Sequence, residues 1–200
     1  LRFLLMEKTR FPSRDCVWHG TLAVMLPKIV KSTTMEKIDV PYFGEIKIDK
    51  SVVEQNFEKY IKFNDNLIEL NLIYETEDIT ISDLLLVKDF LNDFEKHLSS
   101  ATQAIKKDFE KNGRSKNFIQ THLDALNPLG KEILKATLSK DLDLDKYFLR
   151  ELELNFVYIF PDYSDEFIKF NFRVSEEFTD EFLFVRFGKD FAIKEISTEY

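Results

Sequence analysis

The chain has a single cysteine, Cys16, which excludes an intramolecular disulfide and fits a reducing compartment. Glycine is almost as scarce, with five in 200 residues. A P-loop, a Gly-x-Gly-x-x-Gly phosphate cradle and a Gly-x-Ser-x-Gly nucleophile elbow each need glycines at fixed offsets, and none of these patterns occurs. Only three histidines are present, His19, His97 and His122, and they are scattered. Zinc requires ligands converging at spacings such as His-x3-His or paired Cys-x2-Cys, so no metal site is predicted. Cys16 and His19 lie three residues apart, but two ligands do not make a site. Long apolar runs are missing as well. The stretch from Thr21 to Leu26 is broken by Pro27 and Lys28, too short for a membrane span and without the features of a signal peptide. The sequence therefore predicts a cytoplasmic protein with no cofactor and no membrane association.

Positive charge is also in deficit. The net charge is −8 and the isoelectric point is near 5.1. Such a field repels phosphate backbones, which argues against nucleic acid and favours a basic protein as partner. The deficit is uneven. Residues 1–34 hold Arg2, Lys8, Arg10, Arg14, Lys28 and Lys31 against Glu7 and Asp15, a net of +4, which leaves −12 for the remainder. This basic leader has two readings: upstream sequence read in frame with Met35 as the true start, or a genuine N-terminal arm. Residues 35–200 are predicted to form a single domain.

What is present is a globular composition, 44% hydrophobic and 32% charged, in a chain long enough to bury a core without disulfides or metals. Twenty phenylalanines stand against one tryptophan and seven tyrosines, which predicts a core filled with phenylalanine. Period-two patterns mark the first third. Pro41-Tyr42-Phe43-Gly44 turns into a strand at 45–49, a second strand runs near 58–63, and Ile68, Leu70, Leu72 and Tyr74 share one face of a third. From Leu84 the period becomes helical, through Val87, Leu91, Phe94 and Leu98, with Thr80 or Ser82 as N-cap and a break or bend at Ser99-Ser100. Asn112-Gly113 ends a second helix, Ser115 caps a third that Asn127-Pro128 stops, and 131–138 is a short fourth. Strands then return. Leu152, Leu154, Phe156, Tyr158 and Phe160 alternate with Glu151, Glu153 and Asn155, and Ile168, Phe170, Phe172 and Val174 with Lys169, Asn171 and Arg173. A strand at 182–187 leads through Gly188-Lys189-Asp190 into another at 191–196. A strand block, a helical block and a strand block imply an α+β fold. Its largely antiparallel sheet comes from N-terminal and C-terminal strand blocks, with three to four central helices packed on one face.

Patterns that approach chemistry stop short of it. Asp141, Asp143 and Asp145 match the opening of a calcium loop, but the required glycine and glutamate are replaced by Lys146 and Leu152. These aspartates read as helix caps in a connection that runs on into a strand. His122 lies on the apolar face of the third helix and reads as a core histidine. His97, near the end of the first helix, reads as interacting with that terminus. Lys106, Lys107, Lys111, Arg114 and Lys116 are interrupted by Asp108 and Glu110 and read as a solvated face. Carboxylate pairs are abundant, and whether any two converge is a question for the fold. The densest acidic stretches are Asp162, Asp165 and Glu166 in one turn and Glu176, Glu177, Asp180 and Glu181 in the next. If those turns share one edge of the sheet, they form a negative rim with Tyr163 and Phe178 as apolar anchors, the best candidate surface for a partner.

From Tyr42-Phe43-Gly44-Glu45-Ile46 to the closing Asp180-Glu181-Phe182-Leu183-Phe184-Val185-Arg186-Phe187 and Ile196-Ser197, the chain resembles a bacterial family catalogued as domain of unknown function 2004. The resemblance covers about residues 40 to 200. It implies no activity and no catalytic residues. Two readings follow. The first is a non-catalytic protein-binding module, such as an immunity-type inhibitor of a basic toxin domain. The alternative is an enzyme or small-ligand-binding protein with a pocket between helices and sheet, with His122 as its candidate group.

Overall fold

The computed structural model describes residues 37–63, 65–138, 143–174 and 180–199. The basic leader lies outside them. Among the described residues the order is β1 (Lys37–Val40), β2 (Gly44–Lys47), β3 (Glu54–Phe63), β4 (Asn66–Glu75), α1 (Ile81–Asn92), α2 (Phe94–Glu110), α3 (Arg114–Ala125), α4 (Pro128–Leu138), α5 (Leu144–Arg150), β5 (Glu153–Ile159), β6 (Ile168–Arg173), β7 (Phe182–Phe187) and β8 (Ile193–Glu199). This is the predicted α+β architecture, with helices packed on one face of a six-stranded sheet.

The first strand differs from expectation. It does not enter the sheet but pairs with β1 as a separate hairpin, Ile38 opposite Ile46, and β1 packs against α1. The turn between them needs Gly44, whose φ of 77° is one that side chains resist. β1 has only four residues, too few for periodicity to announce it.

The six strands stand in sequence order, β3-β4-β5-β6-β7-β8. Every joint is antiparallel except β4 to β5, where the chain returns parallel after crossing through the helices. That joint brings the carboxyl ends of β4 and β5 side by side. On β4, Ile68, Leu70, Leu72 and Tyr74 face the helices, as their alternation predicts. β5 departs from its pattern. A bulge between Leu154 and Phe156 shifts the register, so Leu154, Val157 and Ile159 fill the core. Phe156, Tyr158 and Phe160 turn to the open face.

The helices end where local chemistry dictates. Thr80 caps α1 in a capping box with Asp83, each satisfying a backbone N–H of the other. The break that separates α1 from α2 falls at Asp93, not at Ser99-Ser100, which lie inside α2. It lets Phe90 and Phe94 both reach Phe170, at 5.9 and 5.6 Å between ring centroids. Ser115 is buried rather than capping; its N–H donates to Asp108 Oδ2 (2.7 Å), so the α2 carboxylate holds the start of α3. Asn127 accepts from Gly130 N at the start of α4, three residues before the predicted helix. Asp143 caps α5, as its reading as a helix cap predicts, in a segment otherwise expected to be a connection running into a strand.

Phe90 is the centre of the core and is fully buried. Its ring meets Phe187 at 5.2 Å, Phe191 at 5.4 Å, Phe170 at 5.9 Å and Phe167 at 6.4 Å, all near edge-to-face. It stacks on His97 at 3.9 Å. Phe191 has a φ of 61°, a region a bulky side chain normally avoids. It adopts that conformation outside the strand predicted for it, and its ring packs on Phe90, His97 and Phe167. Truncation at this hub removes several edge-to-face contacts and opens a cavity. Phe90→Ala is expected to lower unfolding free energy by about 3–5 kcal/mol. The half-exposed Leu85→Ala on the same helix should cost under about 1 kcal/mol. Urea unfolding followed by circular dichroism separates the two.

Candidate functional site

The acidic residues that the structure describes do not share an edge. Asp162, Asp165 and Glu166 precede β6 and Asp180 and Glu181 follow it, so the two groups lie at opposite ends of a six-residue strand, roughly 20 Å apart. Glu176, Glu177 and Phe178 lie outside the described residues. Asp180 is exposed. Glu181 is not a rim residue, since only 5% of it is accessible; its charge is felt by His122 beneath the sheet end. The single negative rim is therefore corrected to separate features.

The turn at 161–167 does build a site, together with residues outside the two acidic stretches. Asp162, Tyr163 and Glu166 join Glu54, Glu75, Ile73, Tyr74 and Phe160 around a cavity of about 280 Å³. Asp165 stands exposed beside it. The cavity sits at the carboxyl ends of the parallel pair β4 and β5, the place where open sheets leave a crevice. Asp162 Oδ2 accepts from the Glu75 N–H (3.2 Å), which ties the turn to β4, while Asp162 Oδ1 is buried without a hydrogen-bond partner. Tyr74 is buried and donates to Gln55 Oε1 (3.1 Å); burial pushes its hydroxyl up to about 12, so it stays a neutral phenol. Tyr163 is 56% exposed and meets Phe160 edge-on at 5.9 Å.

The charges here are unbalanced. Glu54 and Glu75 are direct partners in the β3–β4 register. Like charges directly opposite on paired strands are destabilising. Among the described residues, no lysine or arginine forms an ion pair with Glu54, Glu75 or Asp162. The neighbouring network is balanced by contrast. Lys169 pairs with Glu199 (2.7 Å) and Glu166 (3.6 Å), and Arg186 with Glu166 (3.3 Å), Glu195 and Glu199. Burial disfavours the charge on Arg186, but the three glutamates outweigh it and raise its pKa above the ordinary value. The sequence signalled the half of this site carried by Asp162, Tyr163 and Glu166, whereas Glu54 and Glu75 acquire meaning only once the hairpin register is known.

Neither described histidine is at a surface site. His122 is fully buried on α3, and its Nδ1 lies 2.9 Å from Phe118 O; a carbonyl only accepts, so Nδ1 carries the proton. It lines neither the 280 Å³ cavity nor those between α2, α5 and the sheet. His97 lies in the first turn of α2, not near a helix end facing C-terminally, and is buried against Phe90. The basic stretch around the end of α2 is solvent-facing, as predicted, with Lys106, Lys107, Lys111 and Arg114 exposed. Among the described residues no group of three His, Cys, Asp or Glu side chains is arranged to hold a metal ion, and no helix is long and apolar enough to cross a membrane.

Burial lowers the pKa of both histidines, opposed more weakly by Asp93 at His97 and by the Phe118 carbonyl and Glu181 at His122, with Lys96 and Arg173 acting in the same direction as burial. The unfolded chain then binds more protons than the folded one below roughly pH 6.5. Their contribution to stability is fully present above that pH and is lost as pH falls below it. The urea midpoint is expected to drop between about pH 7.5 and 5.5. His97→Phe combined with His122→Asn should flatten that dependence, because the stacked ring and the bond to Phe118 O are kept without a titrating group.

No protein-family model matches this chain, and no curated protein or solved structure was found to be similar to it.

Proposed function

We propose that this chain is a non-catalytic protein-binding module whose partner is basic, with an immunity-type inhibitor of a basic toxin domain as its concrete form. The observation that carries the reading is the set of carboxylates Glu54, Glu75 and Asp162, gathered in one cavity without a cation. Two glutamates held opposite each other by strand register repel one another, and that repulsion is relieved when a positive group enters. The aromatic wall of Phe160 and Tyr163 lowers the local dielectric and strengthens the attraction. A net charge of −12 outside the leader adds long-range steering.

Association with such a partner is expected to be fast and salt-sensitive, with k_on falling about tenfold or more between roughly 0.05 and 0.5 M salt. Affinity capture from the source cell and mass spectrometry would identify the partner, and stopped-flow kinetics on the purified pair would give the rates. Glu54→Lys and Asp165→Lys should slow association, and Asp180→Lys reports whether the opposite end of β6 contributes. A partner of acidic isoelectric point, or a rate indifferent to salt and to Glu54→Lys, would exclude the reading.

A further inference from the structure

The sheet face opposite the helices carries a continuous aromatic row. Phe156 and Tyr158 stack at 6.3 Å and 13°, and Tyr158 and Phe160 at 6.2 Å and 6°. Phe182 meets Phe156 edge-on at 6.4 Å and leads to Phe184 at 6.2 Å. Tyr163 closes the other end against Phe160. Tyr163 is exposed, Phe156, Tyr158, Phe160 and Phe182 are partly buried, and Phe184 is buried. A row of aromatic side chains left on an open sheet face is the type of apolar patch that marks an interaction surface.

Three further observations define what the surface would take. Phe156, Tyr158, Phe160, Phe182 and Phe184 line a cavity of about 340 Å³, and Phe160 also lines the acidic cavity, so the two adjoin along this face as the halves of a groove. Asn171 also lines it. This residue is 3% exposed and its Oδ1 has no hydrogen-bond partner, a buried acceptor without a donor. The cations on this face are already committed. Lys169 and Arg186 are held by Glu166, Glu195 and Glu199, and the Lys169 ammonium lies 4.0 Å from the Phe184 ring centroid. Glu54, Glu75 and Asp162 therefore lack a cation that the face itself could provide.

Resting on the basic-partner reading, we infer that this groove receives an extended segment of the partner, anchored by one arginine among Glu54, Glu75 and Asp162. The guanidinium fits better than an ammonium because it bonds carboxylates in a planar fork while its face lies on Tyr163 or Phe160. Apolar side chains of the segment follow Phe156, Tyr158 and Phe182. From Phe160 to Phe156 the row advances roughly 13 Å along β5, the reach of about four extended residues.

A random peptide library displayed on phage, panned on the full chain, tests the occupant without knowledge of the partner. Counter-selection uses the double variant Glu54→Gln, Glu75→Gln, whose two side chains are exposed and unpaired and whose folding is checked by circular dichroism. Enriched sequences are expected to share one arginine followed by apolar residues. Replacing that arginine by citrulline should weaken binding about tenfold or more by fluorescence anisotropy, with lysine intermediate. Tyr163→Ala should weaken it as well, while Asp180→Asn, at the far end of β6, should not. No enrichment, enrichment without arginine, or equal binding to the double variant overturns the inference. The proposed function is judged separately. A captured basic partner that binds with salt sensitivity but ignores the double variant and Tyr163→Ala would leave that reading standing and place its interface elsewhere.

Discussion

The packing around Phe90 is the constraint on which the rest of the molecule depends. One ring on α1 touches the aromatic side chains of β6, β7 and the turn that precedes β8, and stacks on a histidine of α2. Edge-to-face geometry at these distances favours particular orientations, so the cluster fixes how the helices sit on the sheet as well as how much apolar area they bury. Its demands propagate outward. The break at Asp93 turns the chain so that Phe94 joins the same cluster, and Phe191 accepts a left-handed backbone to keep its ring in place. Burial in this cluster lowers the pKa of His97, which couples the same packing to pH.

The helices occupy one face of the sheet, and the other face is where charge and aromatic surface meet. Its two halves obey different rules. Around Arg186 the carboxylates and cations balance, and low exposure makes their geometry definite. At the ends of β4 and β5 the carboxylates stand alone. The difference originates in topology. The parallel joint aligns two strand ends and the β3–β4 register then sets Glu54 against Glu75, so a cavity with one sign of charge results from how the strands are ordered.

Much of the architecture was readable from residue patterns. The alternation in β4 and β6 placed Leu70 and Phe170 in the core, and the helical stripe through Leu84, Val87 and Leu91 placed α1 against it. The patterns failed where tertiary context overrode them. In β5 the run Leu154, Phe156, Tyr158, Phe160 reads as one buried face, but a bulge moves the last three outward and sends Val157 and Ile159 in. No feature of the local sequence distinguishes a bulged from a regular register when both alternating sets are apolar. α5 escaped because seven residues are too few to display a helical period against the aspartates that precede them.

By itself the sequence determined the fold class, the phenylalanine-filled core and the acidic character, since these follow from composition and from periods of two and 3.6 that act over neighbouring residues. Only the tertiary structure decided which acidic residues act together. Asp162 and Glu166 meet Glu54 and Glu75 across long sequence separations, while Asp180 and Glu181, which follow β6, are carried to the opposite end of the sheet. Successive turns of an antiparallel meander alternate between the two ends, so nearness in sequence there guarantees distance in space. Strand order and register, which no local pattern encodes, set the charges that a partner would meet.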